Sequence, residues 1–158
     1  MTDHTLHLWG RLSSINVRKV VWTLQHQAVP FVRTDAGMAF GVVNTPAYQM
    51  LNPNALVPTL QDGDLVLWES NAIVRYLCAR YGAHTGLYPA DLAQRADADR
   101  WMDWQQTTLN RASGPAFVQW VRTPEAQRQP AVIAKSVADT EPLFTLLDAH
   151  LALRPFMA

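Results

Sequence analysis

The sequence predicts an α/β domain over residues 1–81, a linker over residues 82–90 and an all-helical domain over residues 91–158. The first half alternates short strand-like and helix-like segments separated by turn residues, whereas the second half has apolar residues only at helical spacing. With 49% hydrophobic and 16% charged residues, the chain has the composition of a globular protein. Its formal net charge of +0 provides no long-range field that would attract nucleic acid or an anionic membrane.

The opening segment is predicted to form a strand, a helix and a second strand. Residues 5–9 alternate polar and apolar side chains, which indicates a half-buried strand. Apolar residues at helical spacing over residues 17–28 predict an amphipathic helix that begins near Ser14. Residues 30–33 predict the second strand. Residues 36–51 contain two glycines and a proline and predict an irregular segment with one short helix.

A hairpin and a further helix complete the first domain. Residues 57–60 and 65–68 are apolar runs of strand length, and Asp62-Gly63 between them is a strong hairpin signal. A helix is then predicted over residues 69–81. The element order is therefore β-α-β-(α)-β-β-α.

The second domain is predicted to contain two long helices. The first runs from about residue 91 to residue 122, and Gly114-Pro115 is expected to bend it. The second covers about residues 125–153, where Pro142 is expected to kink or split the helix. A βαβ half followed by a helical half predicts two packed subdomains.

Several classes of protein are disfavoured by simple counts. The single cysteine, Cys78, excludes an intrachain disulfide framework and indicates a reducing compartment. The N-terminus has no basic segment followed by an apolar one, so no signal peptide is predicted, and no apolar run approaches the roughly 20 residues of a membrane-spanning helix. The five histidines lie far apart without ligand spacing, so no metal site is expected. We therefore expect a cytoplasmic protein.

The segment from Asn52 to Leu77 combines three motifs in a fixed order. It reads NPNALVPTLQDGDLVLWESNAIVRYL, with a V-P-T-L strand start, a D-G hairpin and an E-S-N-A-I helix start. Weaker motifs are GRLSSINVRKV from residue 10, LYP from residue 87 and RWMDWQ from residue 100. Together they resemble the cytosolic glutathione transferase family, in its serine- or asparagine-using theta-, nu- or beta-like bacterial branch. The resemblance implies a thioredoxin-like domain followed by a helical domain.

The resemblance also implies where glutathione binds. The Val57-Pro58 bond is expected to be cis, so that the Val57 backbone N–H and C=O pair with the tripeptide as with an added strand; the alternative is an ordinary trans proline in a turn. Ser70 is expected to bind the γ-glutamyl carboxylate at the positive helix end, and Glu69 the neighbouring ammonium group. The alternative for Ser70 is a plain helix N-cap.

The residue that activates the sulfur is expected at the start of the first helix. A redox thioredoxin would carry a cysteine there, whereas this chain has Ser13 and Ser14, and Cys78 is expected to be a core residue. The resemblance implies that Ser14 donates a hydrogen bond to the thiolate, with Asn16 as second and Ser13 as third candidate. Alternatively, both serines merely cap the helix. Tyrosine-using branches are disfavoured, because Trp9 stands where their tyrosine is expected.

The chain departs from the family in two places. Leu56 stands where many relatives carry a Lys or Arg that holds the glycine carboxylate of glutathione. We therefore expect either weaker glutathione binding or compensation by Asn54 and nearby backbone. In addition, the chain stops at Ala158, where the family continues into a buried central helix, so we expect a C-terminally incomplete helical domain. Trp101 and Trp104 are candidates for the electrophile pocket, although aromatic residues at helical spacing are more often core.

Three functions remain open on these grounds. The leading hypothesis is a glutathione S-transferase that uses no metal and acts on a small electrophile as a homodimer, with a detoxifying role. The second is a glutathione-dependent isomerase, dehalogenase or peroxidase that uses the same thiolate. The third is a non-catalytic glutathione-binding or interaction protein, or an inactive truncated relative.

Overall fold

A computed structural model describes residues 5–158, which form two compact units, residues 5–89 and 90–158. The N-terminal residues used to disfavour a signal peptide lie outside the described part. The first unit contains four strands, β1 (Leu6–Trp9), β2 (Phe31–Thr34), β3 (Thr59–Asp62) and β4 (Leu65–Trp68). Its α-helices are α1 (Ile15–His26), α2 (Pro46–Leu51) and α3 (Ser70–Tyr81), and a 3₁₀ turn spans Met38–Phe40.

The strands form one mixed sheet in the order β2-β1-β3-β4. β1 is parallel to β2 and antiparallel to β3, and β3 and β4 form an antiparallel hairpin. In this register Trp9 lies opposite both Thr34 and Thr59, and Thr59 lies opposite Trp68. The ends of β1, β2 and β4 and the start of β3 therefore meet at one edge of the sheet. We call this the loop edge, because the segments after Trp9, Thr34 and Trp68 and before Thr59 all leave from it.

The core of the first unit lies between the sheet and helices α1 and α3. Burying each of its large side chains contributes roughly 1.5–3 kcal/mol of hydrophobic stabilisation. The core residues are Leu6, Leu8, Val17, Val20, Leu24, Leu60, Ile73 and Leu77. The predicted thioredoxin-like element order is thus confirmed, with each predicted strand and helix present.

Two local predictions in this unit need correction. Strand β3 begins at Thr59, so Val57 and Pro58 precede the strand and do not open it. The hairpin turn is centred on Gly63-Asp64, because Asp62 pairs with Leu65 across the strands. Gly63 has φ +61°, the sign required at the first position of a type II′ turn.

The second unit is helical. Its α-helices are α4 (Leu92–Trp104), α5 (Asn110–Phe117) and α6 (Pro130–Leu151). Two π-helical segments, Gln105–Leu109 and Val118–Arg122, extend α4 and α5, and a 3₁₀ turn spans Glu125–Gln127. Over residues 5–158, no helix combines the length and the apolarity needed to cross a lipid bilayer.

Helix α5 accommodates Pro115 with help from a side chain of α6. The Ser136 hydroxyl donates to the Ala112 carbonyl and accepts from the Ala116 amide at 3.0 Å. A buried serine is thereby inserted into the hydrogen-bond ladder next to the proline. The helical run continues through Pro115 with widened π turns on either side of α5. Helix α6 likewise continues through Pro142, so of the two predicted effects of this proline, a kink or a split, the split is wrong.

Candidate functional site

The β1–α1 loop carries the three candidate sulfur donors. Ser14 is the N-cap residue of α1, with φ −89° and ψ 122°, and its carbonyl accepts from the Arg18 amide at 3.0 Å. Its side chain makes no capping hydrogen bond, so the interpretation of Ser14 as a capping side chain is wrong. Ser13 is exposed in the preceding turn, and Asn16 lies half-buried in the first turn of α1. The Ser14 hydroxyl is therefore the candidate that is nearly buried and still unused by the helix.

The Val57-Pro58 bond is cis, as predicted. Within residues 5–158, neither the Val57 N–H nor its C=O takes part in a backbone hydrogen bond. Val57 lies two residues before β3 at the loop edge. Its side chain packs against the core described above and against a smaller cluster of Ala36, Val43 and Tyr48. Its backbone groups can therefore pair with an extended ligand.

A buried polar cluster holds the segment that leads to Val57. The Tyr48 hydroxyl donates to the Leu56 carbonyl at 2.6 Å and shares a 2.7 Å hydrogen bond with the Thr59 hydroxyl. The Asn52 amide donates to the same two oxygens, at 3.0 and 3.1 Å. Burial raises the pKa of Tyr48, so this hydroxyl remains a donor at neutral pH. These bonds fix the Leu56 carbonyl and so orient the peptide group to which it belongs, which also carries the Val57 N–H.

Asn54 and Leu56 lie on the same segment but in different environments. The Asn54 backbone N–H and side-chain amide both donate to the Asn52 Oδ1 atom, at 3.0 and 3.2 Å. The Leu56 side chain is 64% exposed and offers no polar group. The cation that the resemblance would place at this position is therefore missing from this chain.

Glu69 and Ser70 begin helix α3 at the loop edge. Glu69, and not Ser70, is the N-cap residue, so the interpretation of Ser70 as a plain N-cap is wrong. Glu69 has φ 69° and ψ 109°, a backbone conformation that is costly for a residue with a side chain. Its side chain is exposed and makes no capping bond, whereas Ser70 is buried in the first helical turn. Strain at a non-glycine residue beside an open helix end is typical of a binding site.

Sequence reasoning missed the contribution of Lys19. Its ammonium group donates to the Asn71 Oδ1 atom at 2.9 Å and so links α1 to the first turn of α3. Burial lowers the pKa of Lys19, and the Glu69 carboxylate acts in the opposite direction. Lys19 is thus a partly desolvated cation near the negative charge of Glu69. The helical pattern of α1 placed Lys19 beside its apolar face, but no local signal pointed to α3.

The remaining candidates are two tryptophans of the second unit and Cys78 of helix α3. The Trp101 ring packs edge-on against Trp104, with centroids 5.5 Å apart, and against His150 at 4.6 Å, all within the second unit. Cys78 is buried on α3, where burial raises the pKa of its thiol. Among residues 5–158 there is no group of His, Cys, Asp and Glu side chains that could hold a metal ion.

Comparison with known proteins identifies related chains. Residues 4–79 match the family model "Glutathione S-transferase, N-terminal domain". Glutathione S-transferase GstB of Escherichia coli K12 is 46% identical over 147 residues, covering 92% of this chain and 70% of that protein. Human glutathione S-transferase theta-1 is 32% identical over 146 residues, 90% of this chain and 61% of that protein.

Solved structures agree with these relatives. The theta class glutathione S-transferase of Xanthomonas axonopodis pv. citri, crystallised with glutathione bound, is 48% identical, with a TM-score of 0.93. The alignment covers 97% of this chain and 73% of that one. The fold described above is thus the fold of these transferases.

Proposed function

The chain belongs to the glutathione S-transferase family, and from this membership we propose that it binds glutathione and activates the thiol for attack on an electrophilic substrate. The observation that carries the proposal is a set of unused polar groups along the loop edge. Ser14 offers a hydroxyl that does not cap its helix, and Val57 offers a backbone N–H and C=O without partners among residues 5–158. The exposed carboxylate of Glu69 follows β4 at the same edge.

The cysteinyl unit of glutathione pairs with Val57. An extended peptide adjacent to this residue exchanges main-chain hydrogen bonds with it as an added strand would. Preorganisation supports this role, because Tyr48 and Asn52 already fix the preceding Leu56 carbonyl. This segment of the protein then loses little conformational entropy when the ligand binds.

The γ-glutamyl unit binds at the start of α3. Its carboxylate accepts hydrogen bonds from the Ser70 hydroxyl and backbone N–H at the positive helix end. Its ammonium group pairs with the Glu69 carboxylate. Lys19 lies near the Glu69 carboxylate and donates a hydrogen bond to the Asn71 Oδ1 atom, so it limits the movement of the first turn of α3.

The Ser14 hydroxyl lowers the pKa of the bound thiol. A free thiol has a pKa of about 8.5, and lowering this value by two units requires about 2.7 kcal/mol of preferential stabilisation of the thiolate. A hydrogen bond to a charged acceptor contributes about 1.5–3 kcal/mol, and the N-terminus of α1 adds a smaller favourable term. The thiol proton leaves to solvent. The thiolate sulfur then forms a bond to the electrophilic carbon: in a substitution the leaving group departs with the electron pair of its bond to that carbon, and in an addition the displaced π pair of the acceptor takes up a proton from solvent. Asn16 and then Ser13 are the alternative donors.

The wider biological role is part of the same proposal. Family membership supports a homodimer in the cytoplasm that detoxifies small electrophiles, with Trp101 and Trp104 as candidates for the electrophile pocket. The isomerase, dehalogenase and peroxidase alternatives use the same thiolate. One observation favours a non-catalytic glutathione-binding protein as second candidate, namely the exposed, uncharged Leu56 side chain beside the ligand segment.

Titration with glutathione, followed by thiolate absorbance and calorimetry, tests binding and activation together. We expect saturable binding and a thiolate signal at neutral pH. Binding without thiolate formation would favour the non-catalytic alternative, and absence of binding would refute both. Glu69→Ala and Ser70→Ala should each weaken binding; unchanged affinity in both variants would contradict the placement of the γ-glutamyl unit.

A further inference from the structure

Lys19 places a positive charge beside a helix end that is itself positive. Its ammonium group donates to the Oδ1 atom of Asn71, which is the second residue of α3. The backbone N–H groups of a first helical turn carry a partial positive charge, so a cation at this position is unfavourable. The first turn of α3 contains no acidic residue that would offset it. The fold therefore holds a cation where the field of α3 opposes it.

The partners of Lys19 within residues 5–158 do not neutralise its charge. Asn71 is a neutral amide, and the Lys19 ammonium group forms no ion pair among these residues. The exposed Glu69 carboxylate attracts the ammonium group without direct contact. Burial lowers the pKa of Lys19, because the ammonium group is held partly out of water. A further negative charge at this point would therefore be stabilised by Lys19 and by the helix end together.

Ser70 offers a place for that negative charge. This residue is 5% exposed, and within the described part of the chain its hydroxyl group takes part in no hydrogen bond. A buried hydroxyl without a partner costs free energy, which a bound acceptor recovers. The proposed function places the γ-glutamyl carboxylate at this residue. The ammonium group of the same unit, at Glu69, would be repelled by Lys19.

Building on the proposed glutathione site, we propose that Lys19 is a positioning residue that makes the start of α3 selective for a zwitterionic group. Lys19 attracts the carboxylate of the γ-glutamyl unit and offsets part of the attraction between Glu69 and the ammonium group. Without Lys19, the Glu69 carboxylate would favour a ligand that carries the ammonium group alone. No contact between Lys19 and the ligand is required, because the interaction between charges extends across a partly desolvated region.

Two analogues of glutathione test this balance, because each lacks one charge of the γ-glutamyl unit. A 4-aminobutyryl group in its place lacks only the carboxylate, and a glutaryl group lacks only the ammonium group. Calorimetry gives the affinity of each ligand, and the ratios to glutathione are the preferences for the carboxylate and for the ammonium group. Wild-type protein should bind glutathione about tenfold or more tightly than the 4-aminobutyryl analogue, as expected for a charge-assisted hydrogen bond.

Lys19→Gln removes the charge and keeps an N–H donor for Asn71. This variant should lower the preference for the carboxylate about fivefold, through the loss of one charge interaction. The preference for the ammonium group should rise about twofold, because the repulsion by Lys19 is gone. Lys19→Arg keeps the charge and should retain both preferences. Arg18→Gln, which removes an exposed cation of α1, is the matched control and should also retain both.

The outcomes separate charge balance from structural support and from the proposed function itself. If Lys19→Gln weakens all three ligands by the same factor, Lys19 only holds the helix turn through Asn71, and the inference is refuted. An unchanged preference for the carboxylate in Lys19→Gln refutes it as well. So does equal binding of glutathione and the 4-aminobutyryl analogue by wild-type protein, a result that does not depend on the folding of any variant. If wild-type protein binds none of the three ligands, the proposed function fails.

Discussion

The Ser14→Ala variant separates a catalytic hydroxyl from a structural one. A serine that caps a helix contributes about 1 kcal/mol to stability through its side chain, but the Ser14 side chain makes no capping bond in α1. We therefore expect Ser14→Ala to change the free energy of unfolding by well under 1 kcal/mol. The same variant should affect the bound thiol strongly. Loss of a hydrogen bond worth about 1.5–3 kcal/mol to the thiolate corresponds to a rise of about 1–2 units in the pKa of the bound thiol.

The assay follows the thiolate absorbance of bound glutathione as a function of pH. In parallel, urea unfolding measures stability, and conjugation of a generic electrophile measures turnover at neutral pH. Turnover should fall about tenfold or more in Ser14→Ala, whereas glutathione affinity stays nearly unchanged. Ser13→Ala is the matched control, because it removes the neighbouring, exposed hydroxyl.

Two results would refute this reasoning. An unchanged thiol pKa in Ser14→Ala, together with a raised value in Asn16→Ala or Ser13→Ala, would assign the donor to that residue. A loss of about 1 kcal/mol in stability without a change in the thiol pKa would mean that Ser14 serves α1 and not the ligand.

Three further predictions concern the surroundings of the site. Glu69→Gly should be about 1 kcal/mol more stable to urea than Glu69→Ala, because only glycine tolerates φ 69°. Both variants should bind glutathione weakly. Equal stabilities of the two variants would contradict the backbone strain at residue 69. Tyr48→Phe should lower the free energy of unfolding by about 1–2 kcal/mol and weaken glutathione binding, since it removes the bond to the Leu56 carbonyl; unchanged affinity would mean that the buried cluster does not orient the ligand segment. Burial and the Asp62 carboxylate raise the pKa of Tyr76 to about 12, so its contribution to stability is complete below its ordinary pKa of about 10 and is lost as pH rises through 12. Wild-type stability should thus fall more steeply over this range than that of Tyr76→Phe, and parallel curves would be the contrary result.

Local patterns were sufficient for the order of elements in the first unit. The two-residue period of residues 5–9 and the helical spacing before residue 28 each describe how a segment buries its own apolar side chains. Such patterns do not depend on distant residues, so β1 and α1 appear where they were predicted. The hairpin was also found, but its turn is displaced by one residue. Glycine was the first central residue and not the second, because the pairing of Asp62 with Leu65 fixes the register.

The candidate site was only partly predictable, because its geometry depends on distant residues and local patterns do not report on them. The resemblance pointed to Ser14, Val57 and Ser70, and the strand register brings the segments that carry them to one edge of the sheet. It did not indicate that the Ser14 side chain makes no capping hydrogen bond. Capping depends on the orientation of the side chain, which the presence of a serine in the sequence does not specify. It also did not indicate the strained backbone of Glu69, which surrounding structure must impose.

The sequence alone determined the type and order of the elements, the chemistry available at the first helix start and the absence of a cation at Leu56. Only the tertiary structure decided which distant groups meet. Lys19 bonds to Asn71 across 52 positions of sequence, and the Arg11 guanidinium lies in the space left open at Gly37. Such contacts arise from sheet register and helix packing, in which each position depends on the whole fold, whereas periodicity and turn composition report only on a residue's near neighbours.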